Sequence, residues 1–136
     1  MPQKAETKFS ERLHKGLPKE LYVEKTHNPL RYGVPDFYYE GVRDLFAEHK
    51  WINKPIDRDV EALDLSAIFK SKSWRQQYEW LMRRHRNKHL ARLFIGHPEG
   101  CHVLLPPFDF KVGAPGTDFT LVQARNHLVS IVMLKP

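Results

Sequence analysis

The stretch RYGVPDFYYEGVRDLFAEHKW, residues 31–51, decides the fold that the sequence predicts. Aromatic and branched residues alternate with polar ones on both sides of a tight turn near Val42, which predicts a β-hairpin with strands at about 34–39 and 44–52. Three charged side chains, those of Asp36, Glu48 and Lys50, lie inside these strands. They call for a chemical explanation, because apolar side chains would pack better at such positions.

The predicted register brings two of these side chains together. If the hairpin is centred on Val42, Asp36 and Glu48 are equally far from the turn and face each other. Opposed like charges destabilise a sheet, and two close carboxylates resist ionising together. A divalent cation between them removes the conflict, since carboxylate, carbonyl and water oxygens are ligands of Mg²⁺ and Mn²⁺. The alternative is an exposed strand face whose charges are simply solvated.

Lys50 belongs to the same predicted site. It lies two residues beyond Glu48 and therefore on the same face of the strand. Its ammonium group would position an attacking water or a phosphate oxygen, while a bound metal would activate water and neutralise charge on phosphorus. The hairpin therefore predicts a metal-dependent hydrolase acting on a phosphate ester.

The rest of the chain predicts a single domain, residues 1–136, with the element order α-β-β-β-α-β and a C-terminal extension over residues 98–136. The first helix spans residues 4–16, and the first strand residues 21–27. A second helix begins at Ser73, with Ser73 and Gln76 as a capping box, and runs to about residue 88. Residues 91–96 and 101–105 form a further hairpin.

Three other segments carry weaker predictions. Residues 63–69, LDLSAIF, favour a helical turn, and residues 106–116 a loop rich in proline and glycine. The tail favours a helix capped at Thr117 or Asp118 and ending at Leu134, although LVSIVML is also compatible with a strand.

Three motifs resemble a known nuclease superfamily. GVPD (residues 33–36) followed by EHK (residues 48–50) resembles the PD-(D/E)xK signature, and QYEWL (residues 77–81) resembles the Gln-x-x-Trp-Leu of its virus-type replication-repair branch, the VRR-Nuc domains. The likeness covers residues 5–97. It departs from the family at Ala47 and His49, which stand where Ile and Leu are usual. His49 is expected to face away from the site.

The resemblance implies an α/β fold with a restriction-endonuclease-like αβββαβ core and a mixed central sheet. It implies Mg²⁺-dependent hydrolysis of DNA, with Mn²⁺ able to substitute, on branched substrates such as four-way (Holliday) junctions. Small stand-alone members are phage or bacterial homodimers, which implies the cytoplasm of a bacterium or of a phage-infected host. A less selective nuclease and an inactive DNA-binding module of the same fold are the alternatives.

The resemblance also assigns roles to residues. Asp36, Glu48 and the backbone carbonyl of His49 would hold the metal, Lys50 would position the nucleophile or phosphate, and Gln77 would support the site from the second helix. The acidic residue that the family carries on its first helix has two candidates here, Glu11 first and Glu6 second.

Charge and composition are compatible with a nucleic-acid partner. The net charge is +6 and the pI about 9.5, as expected of a protein that binds a polyanion. The run MRRHRNKH (residues 82–89) offers cations for the phosphate backbone: Arg83, Arg84, Arg86 and Lys88. A solvated helix end that complements the helix dipole explains the same run. The sequence has a single cysteine, begins with a polar segment and contains no apolar run long enough to span a membrane.

Other constellations favour structural roles. His85 and His89 have the spacing of a zinc-binding helix but lack the glutamate of the metalloprotease motif. His97, Cys101 and His102 fit a hairpin turn without a metal. Three aromatic residues of the second helix could stack on bases, of which the first two favour the core: Trp74, Tyr78 and Trp80.

Overall fold

The computed structural model describes residues 4–26, 35–53, 63–64, 71–108, 111–112 and 118–134. Its helices are α1 (Ala5–His14), α2 (Lys72–Arg86) and α3 (Leu121–Met133). Its strands are β1 (Tyr22–Lys25), β2 (Phe37–Glu40), β3 (Asp44–Trp51), β4 (Leu63–Asp64), β5 (Leu90–His97), β6 (Gly100–Leu104), β7 (Lys111–Val112) and β8 (Asp118–Phe119). No helix among these residues is long and apolar enough to cross a membrane.

The main sheet is mixed and has six strands in the order β1-β2-β3-β5-β6-β8. Its central pair, β3 and β5, is parallel, and every other pair in the sheet is antiparallel. Parallel neighbours need a crossover, and α2 lies in the segment that makes it. The α/β fold, the mixed sheet and the αβββαβ order predicted from the sequence are confirmed.

Two apolar cores cover the two faces of this sheet. One is formed with α1 and α3 and includes Phe9, Leu13 and Leu128; the other is formed with α2 and includes Trp74 and Leu81. The alternation of side chains along β5 explains the division. Phe94 belongs to the first core and its neighbours Leu93 and Ile95 to the second.

The hairpin of β2 and β3 has the predicted register. Phe37 faces Ala47, and Tyr39 faces Leu45, as a turn centred on Val42 requires. The turn packs against the end of α3, where a Cβ on Gly41 would come within 2.5 Å of the Met133 sulfur. A side chain at position 41 would therefore displace the helix end from the hairpin.

Both predicted helix caps are wrong. Ser71, not Ser73, caps α2 and accepts a hydrogen bond from the backbone N–H of Trp74 at 3.1 Å. The chain is still extended at Ser71 and is helical from Lys72, so position 73 lies within the helix and is not its N-cap.

The tail is a helix, as favoured, but Thr120 caps it in place of Thr117 or Asp118, in a capping box with Gln123. Asp118 lies in β8, opposite His102, and strand pairing moves the helix start downstream.

The connecting segments hold a second, small sheet. Leu63–Asp64 pairs with Lys111–Val112. The predicted helical turn at 63–69 is therefore wrong for its first two residues, because backbone pairing with a distant segment replaces the local helical hydrogen bonds. The predicted loop at 106–116 likewise contains a short strand. Residues 65–69, 109–110 and 113–116 lie outside the described residues, as does the predicted strand start at residue 34.

Candidate active site

Asp36 and Glu48 meet where β2 begins beside β3. Asp36 directly precedes β2, and its backbone N–H donates a hydrogen bond to Glu48 Oε1 at 3.2 Å. The backbone N–H of His49 in turn donates to Asp36 Oδ2 at 3.2 Å. The predicted juxtaposition of the two carboxylates is therefore present. Their binding of a metal stays a prediction.

Glu48 is a buried carboxylate with an unsatisfied oxygen. Its side chain has no exposed surface, and Oε2 has no hydrogen-bond partner. The nearest cation is Lys50, whose Nζ lies 3.9 Å from Oε2 and which is partly exposed. Burial, then hydrogen bonding to Asp36 and the charge of Asp36, raises the pKa of Glu48 well above its usual value, while Lys50 acts to lower it. The site holds negative charge that its own cation only partly balances.

The face of β3 that carries Glu48 is the one covered by α2. In the parallel pair, Glu48 lies beside Leu93 and Lys50 beside Ile95, and both partners belong to the core under α2. Glu48 and Lys50 therefore share a face, as predicted.

Glu6 is a carboxylate of α1 that interacts electrostatically with this site. Glu6 is half-buried, and burial followed by the charge of Asp36 raises its pKa, while Lys50 is the first of three lysines that lower it. Glu11 is exposed. Both residues line a cleft of about 230 Å³ that also reaches Asp36. Which of the two would serve the site stays a prediction. Glu6 lies three residues before the core residue Phe9, a spacing that places it on the buried side of the helix.

His49 lies on the opposite side of β3 in a buried hydrogen-bond chain. Ser10 donates its hydroxyl proton to the Glu6 carbonyl at 3.1 Å, so its oxygen accepts from Nδ1–H of His49 at 2.8 Å. Nε2 of His49 then accepts from the Tyr39 hydroxyl at 3.0 Å, which accepts from Nε2–H of His14 at 2.7 Å. Side chains of two strands, β2 and β3, and of helix α1 are thereby tied together behind the carboxylates.

The two histidines of this hydrogen-bond chain, His14 and His49, are held neutral. Burial, reinforced by the charge of His14, lowers the pKa of His49 well below its usual value. Burial lowers the pKa of His14 to about 4. The expectation that His49 faces away from the site is confirmed, and no pattern in the sequence pointed to its partners, which are distant along the chain.

Gln77 lies on α2 with a buried Oε1 that has no hydrogen-bond partner. Arg84, a residue of the same helix, stacks over the ring of Phe46 on β3. Its guanidinium carbon lies 4.7 Å from the ring centroid. A helix that connects two parallel strands runs antiparallel to them. The seven residues from Arg84 back to Gln77 span about 10 Å, which is the length of roughly three strand residues. Ideal helix and strand geometry therefore predicts that Gln77 is level with Glu48 and Lys50. Its supporting role stays a prediction.

The donor atoms fit a hard divalent cation. Asp36 and Glu48 supply carboxylate oxygens, the Glu48 Oε2 atom has no other partner, and the His49 carbonyl is adjacent in the chain. Oxygen ligands completed by water suit Mg²⁺. Among the described residues, no three side chains of Asp, Glu, His or Cys gather into a metal cluster. The site is thus a two-carboxylate site, with Glu6 as an additional charge nearby.

The four cations predicted to bind nucleic acid do not form one patch. Arg83 and Arg86 line a groove on the outer side of α2, together with two residues that the prediction missed, Lys72 and Arg75. Arg84 packs on Phe46 instead, and Lys88, whose φ is 66°, lines a separate cleft. The helical spacing of the groove residues was the sequence signal that could have distinguished the cations of the groove from Arg84 and Lys88.

The structure also places the remaining constellations. Trp74 is 4% exposed and Tyr78 packs beside it, which confirms their assignment to the core. Cys101 is buried in the core under α1 and α3, whereas the rings of His97 and His102 stack on each other with centroids 4.9 Å apart. His85 and His89 are exposed, and no cluster suited to a metal ion includes any of these described residues.

A crystal structure is similar to this chain: that of Hjc, a Holliday junction resolvase from the archaeal hyperthermophile Archaeoglobus fulgidus, with a TM-score of 0.44 and 12% sequence identity. The alignment covers 86% of this chain and 93% of that one. No protein-family model matches the sequence, and no curated protein matches it either. The geometry of the site itself therefore carries the functional proposal.

Proposed function

We propose that this protein is a metal-dependent DNA endonuclease of the PD-(D/E)xK type, closest to the VRR-Nuc branch. Its proposed substrate is branched DNA such as a four-way (Holliday) junction. One observation carries the proposal: Asp36 and Glu48 are in contact across a hairpin, and a buried oxygen of Glu48 that accepts no hydrogen bond lies 3.9 Å from the Lys50 ammonium. A structural strand gains nothing from such a pair, whereas phosphodiester hydrolysis needs a cation and a positioned ammonium group at one point.

The reaction is hydrolysis: a water oxygen bonds to phosphorus as the bond from phosphorus to the leaving sugar oxygen breaks. The water loses a proton, and the leaving oxygen gains one. Mg²⁺ held by Asp36, Glu48 and the His49 carbonyl would lower the pKa of a water and offset charge on the phosphate, and Mn²⁺ would substitute.

Lys50 is partly exposed beside the carboxylates. Its ammonium group donates hydrogen bonds to the incoming water or to a non-bridging phosphate oxygen. The Gln77 amide, level with Lys50 along the helix, restricts the orientation of that water or phosphate. Glu6 adds negative charge on the far side of Asp36 and strengthens the attraction of the site for a cation.

A homodimer is the proposed assembly, working in the cytoplasm of a bacterium or of a phage-infected host. Resolution of a four-way junction requires two cuts, and a two-fold symmetric dimer presents two equivalent sites. Sedimentation equilibrium of the purified protein tests the dimer: a monomer at the concentrations that give paired cuts would contradict it.

Cleavage assays with labelled junction, flap, duplex and single-stranded DNA in Mg²⁺ test the function. We expect the wild type to cut the junction fastest and Glu48→Gln to be inactive, with Glu24→Gln, an exposed carboxylate of β1, as the matched control. Equal cleavage of all substrates would identify a less selective nuclease. Metal-independent binding without cleavage of any substrate would identify a DNA-binding module instead.

A thermal-shift measurement separates the metal site from the chemistry. A ligand that binds only the folded state raises the melting temperature by mass action, so Mg²⁺ is expected to stabilise the wild type and Glu24→Gln but not Glu48→Gln. In the absence of divalent cations, Glu48→Gln is expected to melt higher than the wild type, because it removes a buried charge. A wild-type Mg²⁺ shift in Glu48→Gln would remove Glu48 from the metal site.

A further inference from the structure

The outer side of α2 carries a groove of about 440 Å³ with positive charges at its two ends and a negative charge between them. Two cations, Lys72 and Arg75, line its N-terminal part, and two more, Arg83 and Arg86, line its C-terminal part. Glu79 and Trp80 lie between them. At 1.5 Å per residue the groove follows the helix for roughly 20 Å, which is about six steps of a stacked nucleic-acid strand.

Trp80 forms a platform in the middle of the groove. The guanidinium carbon of Arg83 lies 4.9 Å from the centre of the Trp80 ring. The other side of the indole packs edge-on to Phe46, with ring centroids 6.0 Å apart. Its Nε1 atom is buried and makes no hydrogen bond. The indole is partly exposed and the Arg83 side chain over it is exposed, so displacement of this arginine would free a ring face on which a base can stack.

The platform adjoins the proposed active site. Phe46 lies two residues before Glu48 on the same strand, so the alternation of side chains places both on the α2 face, about 7 Å apart along the strand. With the 6.0 Å between the Trp80 and Phe46 rings, a strand whose base stacks on Trp80 has a phosphate within about four nucleotide steps of the carboxylates.

We propose that this groove binds an unpaired DNA strand, with a base stacked on Trp80 and flanking phosphates bound by the cations at the two ends. The inference rests on the proposed function, whose substrate it narrows to DNA with single-stranded character next to the cleaved bond. A single strand is favoured over a duplex because only unpaired bases offer a free face to an aromatic ring. Glu79 supports this order of groups, since a carboxylate beside Trp80 repels phosphate at the centre of the groove and not at its ends.

Fluorescence anisotropy of a short fluorescein-labelled oligothymidylate in EDTA tests the proposal without any cleavage. Loss of an aromatic stacking platform weakens single-strand binding by roughly five- to a hundredfold, so Trp80→Leu is expected to weaken binding to this extent and Trp80→Phe to restore most of it. Arg75→Ala, an exposed position, is expected to weaken binding as well and covers the case in which Trp80→Leu fails to fold. Lys19→Ala, an exposed cation outside the groove, is the charge-matched control.

Tryptophan emission gives a second readout. Stacking is expected to quench the emission of the wild type on addition of oligothymidylate, and this quenching is expected to be absent in Trp80→Leu. Wild-type affinity in both Trp80→Leu and Arg75→Ala would overturn the proposal, as would an equal loss in Lys19→Ala. Capture of a protein ligand by the groove with no affinity for the oligonucleotide would also overturn it.

The two proposals fail in different ways. If the wild type cleaves junctions and Trp80→Leu cleaves and binds them equally well, the groove proposal fails and the nuclease stands. If no DNA is cut but oligothymidylate binding depends on Trp80 and Arg75, the nuclease fails and the groove stands.

Discussion

At the scale of single residues, the buried carboxylate of Glu48 costs folding free energy and does not add to stability. An unpaired charged oxygen in the interior costs folding free energy, and replacing such a group by a neutral isostere is commonly neutral or stabilising. The raised pKa of Glu48 expresses that cost. Lys50 reduces this cost and the charge of Asp36 adds to it, while Oε2 accepts no hydrogen bond. In the proposed function, a bound cation would offset this cost.

Gln77 gives a test of catalysis at the same scale. Because its Oε1 atom has no partner in the folded protein, Gln77→Ala is expected to change the free energy of unfolding by less than about 0.5 kcal/mol. The cleavage rate is expected to fall at least about tenfold, a loss of roughly 1.4 kcal/mol of transition-state stabilisation. Single-turnover cleavage and thermal melts of the same samples check both values.

The control for Gln77 is His85→Ala, an exposed position on the same helix, which is expected to leave the rate unchanged. A tenfold loss in both variants would indicate a general effect on α2, and no loss in either would show that the Gln-x-x-Trp-Leu resemblance has no catalytic meaning here.

How much of the site the sequence could predict depends on how the interacting residues are separated along the chain. The contact between Asp36 and Glu48 follows from a period of two and a single turn, so local rules suffice. The choice between Glu6 and Glu11 depends on how α1 is rotated on the sheet, which Phe9 and Leu13 determine by packing. The hydrogen bond between Ser10 and His49 joins residues on different elements and has no local signature at all.

At the scale of elements, α1 is fastened to the sheet by a hydrogen-bond chain whose two histidines, His14 and His49, are held in their neutral forms by burial. The pKa of His14 is about 4 in the folded protein and near 6.5 when unfolded. The unfolded state therefore binds more protons between these values, and the contribution of His14 to stability is complete above pH 6.5 and is lost as the pH falls toward 4.

The expected size of this loss is on the order of 2 kcal/mol, discounted for the partial exposure of His14. Urea unfolding of the wild type and of His14→Gln at several pH values between 4 and 7 checks it, because the variant keeps an N–H donor but does not titrate. The raised pKa values of Glu6 and Glu48 act in the opposite direction and cancel in the difference between the two proteins. An identical pH slope in both would exclude His14, and His89→Gln, an exposed histidine, should match the wild type.

The start of α2 tests the corrected cap. Ser71 bonds the backbone N–H of Trp74, so Ser71→Ala is expected to destabilise the protein by about 1 kcal/mol. Ser73→Ala, inside the helix, is expected to be neutral or slightly stabilising because alanine has the higher helix propensity. Chemical denaturation of the two variants decides between the caps, and a larger loss at Ser73 would restore the one expected from the sequence.

The helices and strands were predicted well where apolar residues recur at a regular spacing over many positions, as in the β2–β3 hairpin and α2. They were missed where backbone pairing over long distances decided the outcome. Leu63–Asp64 and Lys111–Val112 are two-residue strands, too short to show any alternation. Pairing of Asp118 with His102 likewise converts residues that resemble a helix start into a strand.

At the scale of the whole molecule, a net charge of +6 matters through where the cations lie. Four of them line the groove on α2, close to the strand face that carries the carboxylates. A uniformly basic surface would attract any polyanion in any orientation. Under the two proposals, a basic groove beside an acidic site would instead draw in the strand and leave its scissile phosphate near the carboxylates.

The salt dependence of strand binding measures how many of these cations contact phosphate. Each contact to single-stranded DNA contributes about −0.7 to the slope of log K against log salt concentration, so four groove cations predict a slope of roughly −3. In Glu48→Gln, which keeps the groove but not the chemistry, the slope is expected to be unchanged. In the double variant Arg75→Ala/Arg86→Ala it is expected to fall by about 1.4, since two phosphate contacts and their released counterions are lost. Anisotropy titrations at several KCl concentrations check these values. A slope near zero in the wild type would mean that the groove recognises its ligand without phosphate contacts, whereas an unchanged slope in the double variant would place the contacting cations elsewhere on the molecule.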